Sequence, residues 1–245
     1  MSRLATNWIV KLQNKITMKN HKIILLVCCL FITVSVAAQS RFVKDLRKGH
    51  DRTLVVYGTS ITRLGNGPLW VEQIGEVLNA EYKGHLTVLN RGGSGRNSQW
   101  GANNFADSVL SVKPDALIIE FSVNDAVTRF DISPEQSMKN TDYMIRKVRE
   151  QNPKAEVILL VVSTHPLGKC AEDRPNLQSY IEGYHTLADK YRLQIIDFTP
   201  IWNEVIEEKG EKGFRNFLHD GVHSTKRGAL EMIAPNVIEA LKTGK

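Results

Sequence analysis

Five short, mainly apolar runs alternate with amphipathic helical stretches along most of this chain, and that alternation restricts it to one class of fold. The runs cover residues 53–57, 85–89, 116–121, 157–162 and 193–198. Most are apolar throughout rather than at every second position, so each strand is expected to be covered on both faces. That is the pattern of a parallel sheet with helices on both sides. Helical patterns fill the intervals: 69–78 with Leu69, Ile74, Val77 and Leu78 turned inward, 105–112, and 177–191. A further helix is expected from a Ser133 cap through Pro134 to about Gln151. Another opens at Thr199-Pro200, and a last one is capped by Ser224 and ends near Leu241. The expected architecture is α/β: a three-layer α/β/α sandwich, flavodoxin-like, with about five parallel strands. Residues 53–245 read as one domain without repeat, low-complexity tract or linker. Residues 210–218 read as a loop, and residues 39–52 as a polar, basic lead-in.

Residues 1–38 are expected to stand outside that domain as an N-terminal extension and signal peptide. Met18-Lys19-Asn20-His21-Lys22 is a short basic start, residues 23–36 are almost wholly apolar, and Val36-Ala37-Ala38 ends the run with small residues. Cleavage is expected near Ala38, with export to the periplasm or the outside. An uncleaved anchor is the other reading, and either Met1 or Met18 serves as the start. Five of the 32 Lys and Arg residues lie in this segment and none of the 26 Asp and Glu, which leaves 27 basic against 26 acidic groups, a formal charge of +1. The basicity of the whole chain therefore gives no support to nucleic-acid binding. Cys28 and Cys29 also lie there, so only Cys170 remains and the domain has no internal disulfide to form.

In open α/β sheets ligands bind beyond the carboxyl ends of the strands. The residues that follow each strand are therefore the candidates for chemistry. Ser60 follows the first, in Gly58-Thr59-Ser60. A Gly-rich turn, Asn90-Arg91-Gly92-Gly93-Ser94-Gly95, follows the second, and Ser122-Val123-Asn124-Asp125 follows the third. Asp220-Gly221-Val222-His223 lies beyond the fifth. Each stretch has a plain structural reading as a helix cap, a tight turn or a helix entry. Together they place a nucleophile, a bare backbone amide, a carboxamide and an Asp/His pair at one sheet edge. His219 is a rival to His223 as the base. The Asp-x-x-His spacing favours His223, because it lets the carboxylate hold the ring nitrogen that faces away from the serine. His165, after the fourth strand, suits a pocket wall better than a base. No cluster in the sequence reads as a metal site, and no cofactor is called for.

These stretches resemble the sequence blocks of the SGNH hydrolases, the GDSL esterase/lipase family, over residues 53–242. The family's Gly-Asp-Ser appears as Gly58-Thr59-Ser60, its second-block glycine as Gly95, its Gly-x-Asn-Asp as Ser122-Val123-Asn124-Asp125 and its Asp-x-x-His as Asp220 to His223. The Asp replaced by Thr59 is not the family's catalytic acid. The glycine replaced by Ser122 affects only local backbone shape.

The resemblance implies a Ser60-His223-Asp220 triad and an oxyanion hole built from the Ser60 and Gly95 amides and the Asn124 side chain. It implies a serine esterase working through an acyl-enzyme, without metal. Alternatives are an acyltransferase using the same triad, a lysophospholipase-like or lipase-like esterase, and a non-catalytic binding protein on a flavodoxin-like scaffold. The expected substrate is a short acyl ester, acetyl foremost, on a carbohydrate. Export and polar loops carrying Arg96, Trp100 and His165 suit a sugar better than a long acyl chain. Its partner is then a small ester or an acylated glycan.

Overall fold

The structure is a computed structural model and describes residues 40–244. The expected signal peptide and its cleavage near Ala38 lie outside the described residues. Strands β1 (Arg52–Gly58), β2 (Leu86–Asn90), β3 (Ala116–Glu120), β4 (Glu156–Val161) and β5 (Gln194–Asp197) pair in parallel in the order β2-β1-β3-β4-β5. The chain leaves β1 for β2, then returns past β1 to β3. The topological switch point therefore lies between β1 and β3, whose register pairs Gly58 with Glu120.

Alternate residues of the strands feed two separate cores, because successive side chains point to opposite faces. Leu54, Val56, Ile118, Ile158 and Leu160 face one. The helices packed there are α1 (Arg41–Arg47), α2 (Gly67–Glu81), α6 (Thr199–Phe214) and α7 (Ala234–Thr243). Val55, Tyr57, Leu117, Ile119, Val157 and Leu159 face the other. That side is covered by α4 (Pro134–Gln151) and α5 (Leu177–Tyr191), with α3 (Ser98–Asn103) packed against α4. Among the described residues, no helix is long and apolar enough to cross a membrane.

Several expectations are corrected. Part of the lead-in is helical: residues 41–47 form α1, and Phe42, Val43 and Leu46 are buried in the first core. Its polar residues are the outward face of a helix whose apolar residues are too few to show a period. Ser40 caps α1 by accepting from the Val43 amide, and Glu156 at the start of β4 accepts from the Ser40 hydroxyl (2.6 Å) and the Phe42 amide (3.0 Å). In α2 the inward stripe is Trp70, Val71, Ile74 and Leu78, while Leu69 and Val77 are only partly buried. Residues 210–214 continue α6 as a helix across a kink at Gly210 rather than forming a loop. Residues 105–112 split into two short turns, Phe105–Ser108 and Leu110–Val112. Ser224 does not cap the last helical segment. Thr225 does, its hydroxyl accepting from the Gly228 amide at 2.9 Å, whereas the Ser224 hydroxyl is buried without a partner.

Candidate active site

β1 stops at Gly58, and Thr59 turns the chain into a one-turn helix, Ser60–Arg63. The Thr59 hydroxyl accepts from the Ile61 amide (3.2 Å) and so caps that turn with Ser60 at its first position. Both the Thr59 amide and its hydroxyl donate to Oε2 of Glu120, at 3.0 and 2.8 Å. Glu120, at the end of β3, is fully buried. Burial pushes its carboxyl up to about 8 against the two Thr59 hydrogen bonds, with Asp125 adding to the rise. The Ser60 turn is thus pinned from below by a carboxyl group on the neighbouring strand.

The three triad candidates are in hydrogen-bond contact. Ser60 Oγ lies 2.9 Å from His223 Nε2, and His223 Nδ1 lies 2.8 Å from Asp220 Oδ2. Asp220 Oδ1 accepts from the Val222 (2.9 Å) and His223 (2.7 Å) amides, so its carboxylate is locked to its own turn. Burial raises the Asp220 carboxyl, but the His223 ring and the two amides outweigh it and hold the group well below the usual carboxylate range. It stays an anion that can orient the imidazole and stabilise an imidazolium. The turn is tightly seated. Gly221 has φ +77°, its carbonyl accepts from the Ser163 hydroxyl (2.8 Å), and a Cβ there would lie 2.1 Å from the His165 carbonyl. Only glycine meets both conditions.

Two further stretches meet this edge. The Gly93 amide donates to the Gly58 carbonyl (2.9 Å), which lays the Gly-rich turn beside Ser60. Gly95 follows with φ +68°. The Asn124 side-chain amide donates to the Arg96 carbonyl at 2.8 Å, which fixes the carboxamide and leaves its second N–H for another acceptor. Asn124 itself sits in a single helical turn, Ser122–Asp125. Buried Asp125 ties that turn to α3 through the Ser98 amide (2.7 Å) and to α4 through the Ser137 hydroxyl. Burial pushes its carboxyl up to about 6 despite these hydrogen bonds. Arg174 braces the same turn from the other side, donating to the Val123 carbonyl (2.8 Å) and to the Cys170 carbonyl (2.9 Å).

Of the expected pocket residues, Arg96 and Trp100 come together, the guanidinium carbon 5.7 Å from the ring centroid. His165 is part-buried. Its ring lies edge-on to Phe214 at 6.1 Å and its backbone supports the triad turn. Sequence reasoning missed Glu120, Asp125 and Arg174 as supports. Glu120 carried a usable signal, being the one charged residue in an apolar strand, since a buried carboxyl must find donors. It also missed Cys170, whose thiol donates to Asp220 Oδ2 at 3.6 Å, and nothing in the local sequence marks that contact.

Residues 56–229 match the family model described as GDSL-like Lipase/Acylhydrolase family. No curated protein matches the chain. Similar solved structures include a lipase/acylhydrolase from Enterococcus faecalis, 23% identical with a TM-score of 0.65, covering 78% of this chain and 95% of that one. A catalytic mutant of an acetylxylan esterase from Geobacillus stearothermophilus is 17% identical with a TM-score of 0.66, over 78% and 94% of the two chains. An alpha/beta hydrolase enzyme from the metagenome of Lake Arreo, Spain, is 20% identical with a TM-score of 0.65, over 80% and 96%.

Proposed function

Because this chain belongs to the GDSL-like Lipase/Acylhydrolase family and is a carboxylic ester hydrolase, we propose that Ser60, His223 and Asp220 act as its catalytic triad on short acyl esters, acetyl foremost, carried by a carbohydrate. The observation that carries the reading is the unbroken hydrogen-bond chain from Ser60 Oγ through the imidazole to Asp220. His223 Nε2 takes the hydroxyl proton as Ser60 Oγ attacks the ester carbonyl. Asp220 holds Nδ1–H and so keeps Nε2 as the acceptor. The Ser60 and Gly95 amides and the free N–H of Asn124 receive the developing oxyanion. The imidazolium returns its proton to the leaving alcohol. Water, activated by the same His223, then releases the acyl group.

A small, polar substrate suits the surroundings. Arg96 over Trp100 offers a flat, hydrogen-bonding surface of the kind a sugar ring packs against. An acetylxylan esterase is built on the same fold. Export after cleavage near Ala38 belongs to this proposal and would bring the enzyme to polymeric glycans. N-terminal sequencing of the protein recovered from its host tests it, and an intact Met1 or Met18 terminus would overturn it.

The deciding experiment is a rate profile across acyl lengths on chromogenic esters, run beside acetylated polysaccharide and lysophospholipid. Fastest turnover of acetyl esters with release of acetate from the glycan is expected. Preference for long acyl chains, or fatty acid released from lysophospholipid, would overturn the substrate. Adding a sugar acceptor distinguishes transfer from hydrolysis, through the appearance of acylated sugar at the expense of free acid.

A further inference from the structure

The turn that carries the base also carries a second imidazole. The rings of His219 and His223 stack with centroids 6.1 Å apart and planes inclined by 25°. Asp220 serves both, with Oδ2 2.8 Å from His223 Nδ1 and 3.7 Å from His219 Nε2. One ligand atom from each of the three residues lies within 4.8 Å of the other two. The His219 side chain is 58% exposed and makes no hydrogen bond within 3.5 Å among the described residues, so a ligand reaches it without displacing a partner. The backbone beneath is already ordered. His219 N–H donates to the His223 carbonyl, the His219 carbonyl accepts from Arg215, and Leu218 bridges Ser224. Ligand atoms held on a rigid turn lose little entropy when an ion arrives.

We propose that His219, Asp220 and His223 bind a divalent transition cation of the zinc class, and that its binding reversibly switches off ester hydrolysis. The part concerning hydrolysis rests on the triad reading above. Two imidazoles and one carboxylate are the donor set of zinc and its neighbours in the first transition row, whereas magnesium and calcium take oxygen ligands. Inhibition follows from the tautomer. In the working state His223 carries its proton on Nδ1, held by Asp220, and leaves Nε2 free to accept from Ser60. A cation bound at Nδ1 takes that nitrogen's lone pair, so the ring proton moves through solvent to Nε2. The neutral, metal-bound imidazole then faces Ser60 with a donor instead of an acceptor, and Asp220 coordinates the cation instead of the ring. No net proton is lost, yet the base is gone. The sequence alone hid this site because Asp220 and His223 were already assigned to the triad, which left His219 as a rival base.

Zinc is titrated from a metal buffer into the purified protein. Binding is followed by competition with a chromophoric chelator, and hydrolysis of p-nitrophenyl acetate is followed in parallel. The wild type is expected to bind one zinc ion and lose activity over the same concentration range, with full recovery on adding a strong chelator and no effect of magnesium or calcium. His219→Gln is expected to keep the metal-free rate and to need at least about tenfold more zinc for both binding and inhibition. Equal zinc affinity in wild type and His219→Gln, or no binding at all, would overturn the site. Zinc binding that depends on His219 without inhibiting an active enzyme would overturn the switch. The binding arm does not require turnover. A protein that hydrolyses no ester but binds zinc through His219 would refute the esterase reading while supporting the site.

Discussion

Ser60 owes its placement to its neighbour. Thr59 caps the turn with its hydroxyl and spends both of its donors on Glu120, so the serine is presented at a helix start whose geometry is set from two sides. At this scale the triad reading makes sharp predictions. Ser60→Ala is expected to lower kcat by on the order of 10⁶-fold and Asp220→Asn by about 10⁴-fold, with melting temperatures near wild type. A stable Ser60→Ala protein with wild-type turnover would refute the assignment. Asn124→Ala is expected to lower kcat by about 10² to 10³-fold at unchanged KM, because its free N–H is engaged mainly in the transition state. Steady-state kinetics separate this from a ground-state contact, which would raise KM instead. Gly95 carries a backbone requirement in addition to the room an oxyanion takes. A Cβ at Gly95 would meet no protein atom within 4 Å, but φ is +68°. Gly95→Ala is therefore expected to strain the loop by about 1 to 2 kcal/mol.

At the scale of elements, long periodic stretches were legible and short ones were not. α4 and α5 were readable because each repeats its buried residues over several turns, among them Met144, Ile145 and Val148 in one and Tyr180, Ile181, Tyr184 and Leu187 in the other. α1 has two turns, and its three apolar residues sit among charges, so its period is too short to detect. Its contribution is testable. Leu46, 1% exposed, is expected to cost about 2 to 5 kcal/mol when changed to Ala, read by chemical denaturation. A change near zero would mean that 41–47 is loosely attached. The start of the last helical segment gives a paired test. Thr225→Ala is expected to cost about 1 kcal/mol for the lost cap. Ser224→Ala should be neutral or slightly stabilising, because its buried hydroxyl has no partner to lose.

Across the whole molecule, the site is underlain by carboxyl groups displaced in opposite directions. Glu120 and Asp125 are raised by burial, to about 8 and about 6, while Asp220 is lowered by its hydrogen bonds. Raised groups bind protons more tightly in the folded state, so they contribute stability at low pH that is lost as pH climbs through their folded values. Asp220 has the opposite sign, contributing stability above the ordinary aspartate range that is lost on strong acidification. Stability is therefore expected to decline between about pH 5 and about pH 8, and Glu120→Gln should flatten that decline by gaining on the wild type as pH rises. Thermal melts across that range check it, and a parallel offset at every pH would show that Glu120 does not titrate there. The residues alone determined the class of fold, the strands and the four candidate stretches at their ends, because apolar runs, helical periods and hydroxyl, amide and imidazole groups are local properties of the chain. Only the tertiary structure decided which imidazole faces Ser60, how Glu120 and Asp125 are satisfied and that Cys170 borders Asp220. Those outcomes depend on groups as far apart as 60 and 223 meeting at one edge of the sheet, and the strand order that brings them together is written in no single segment.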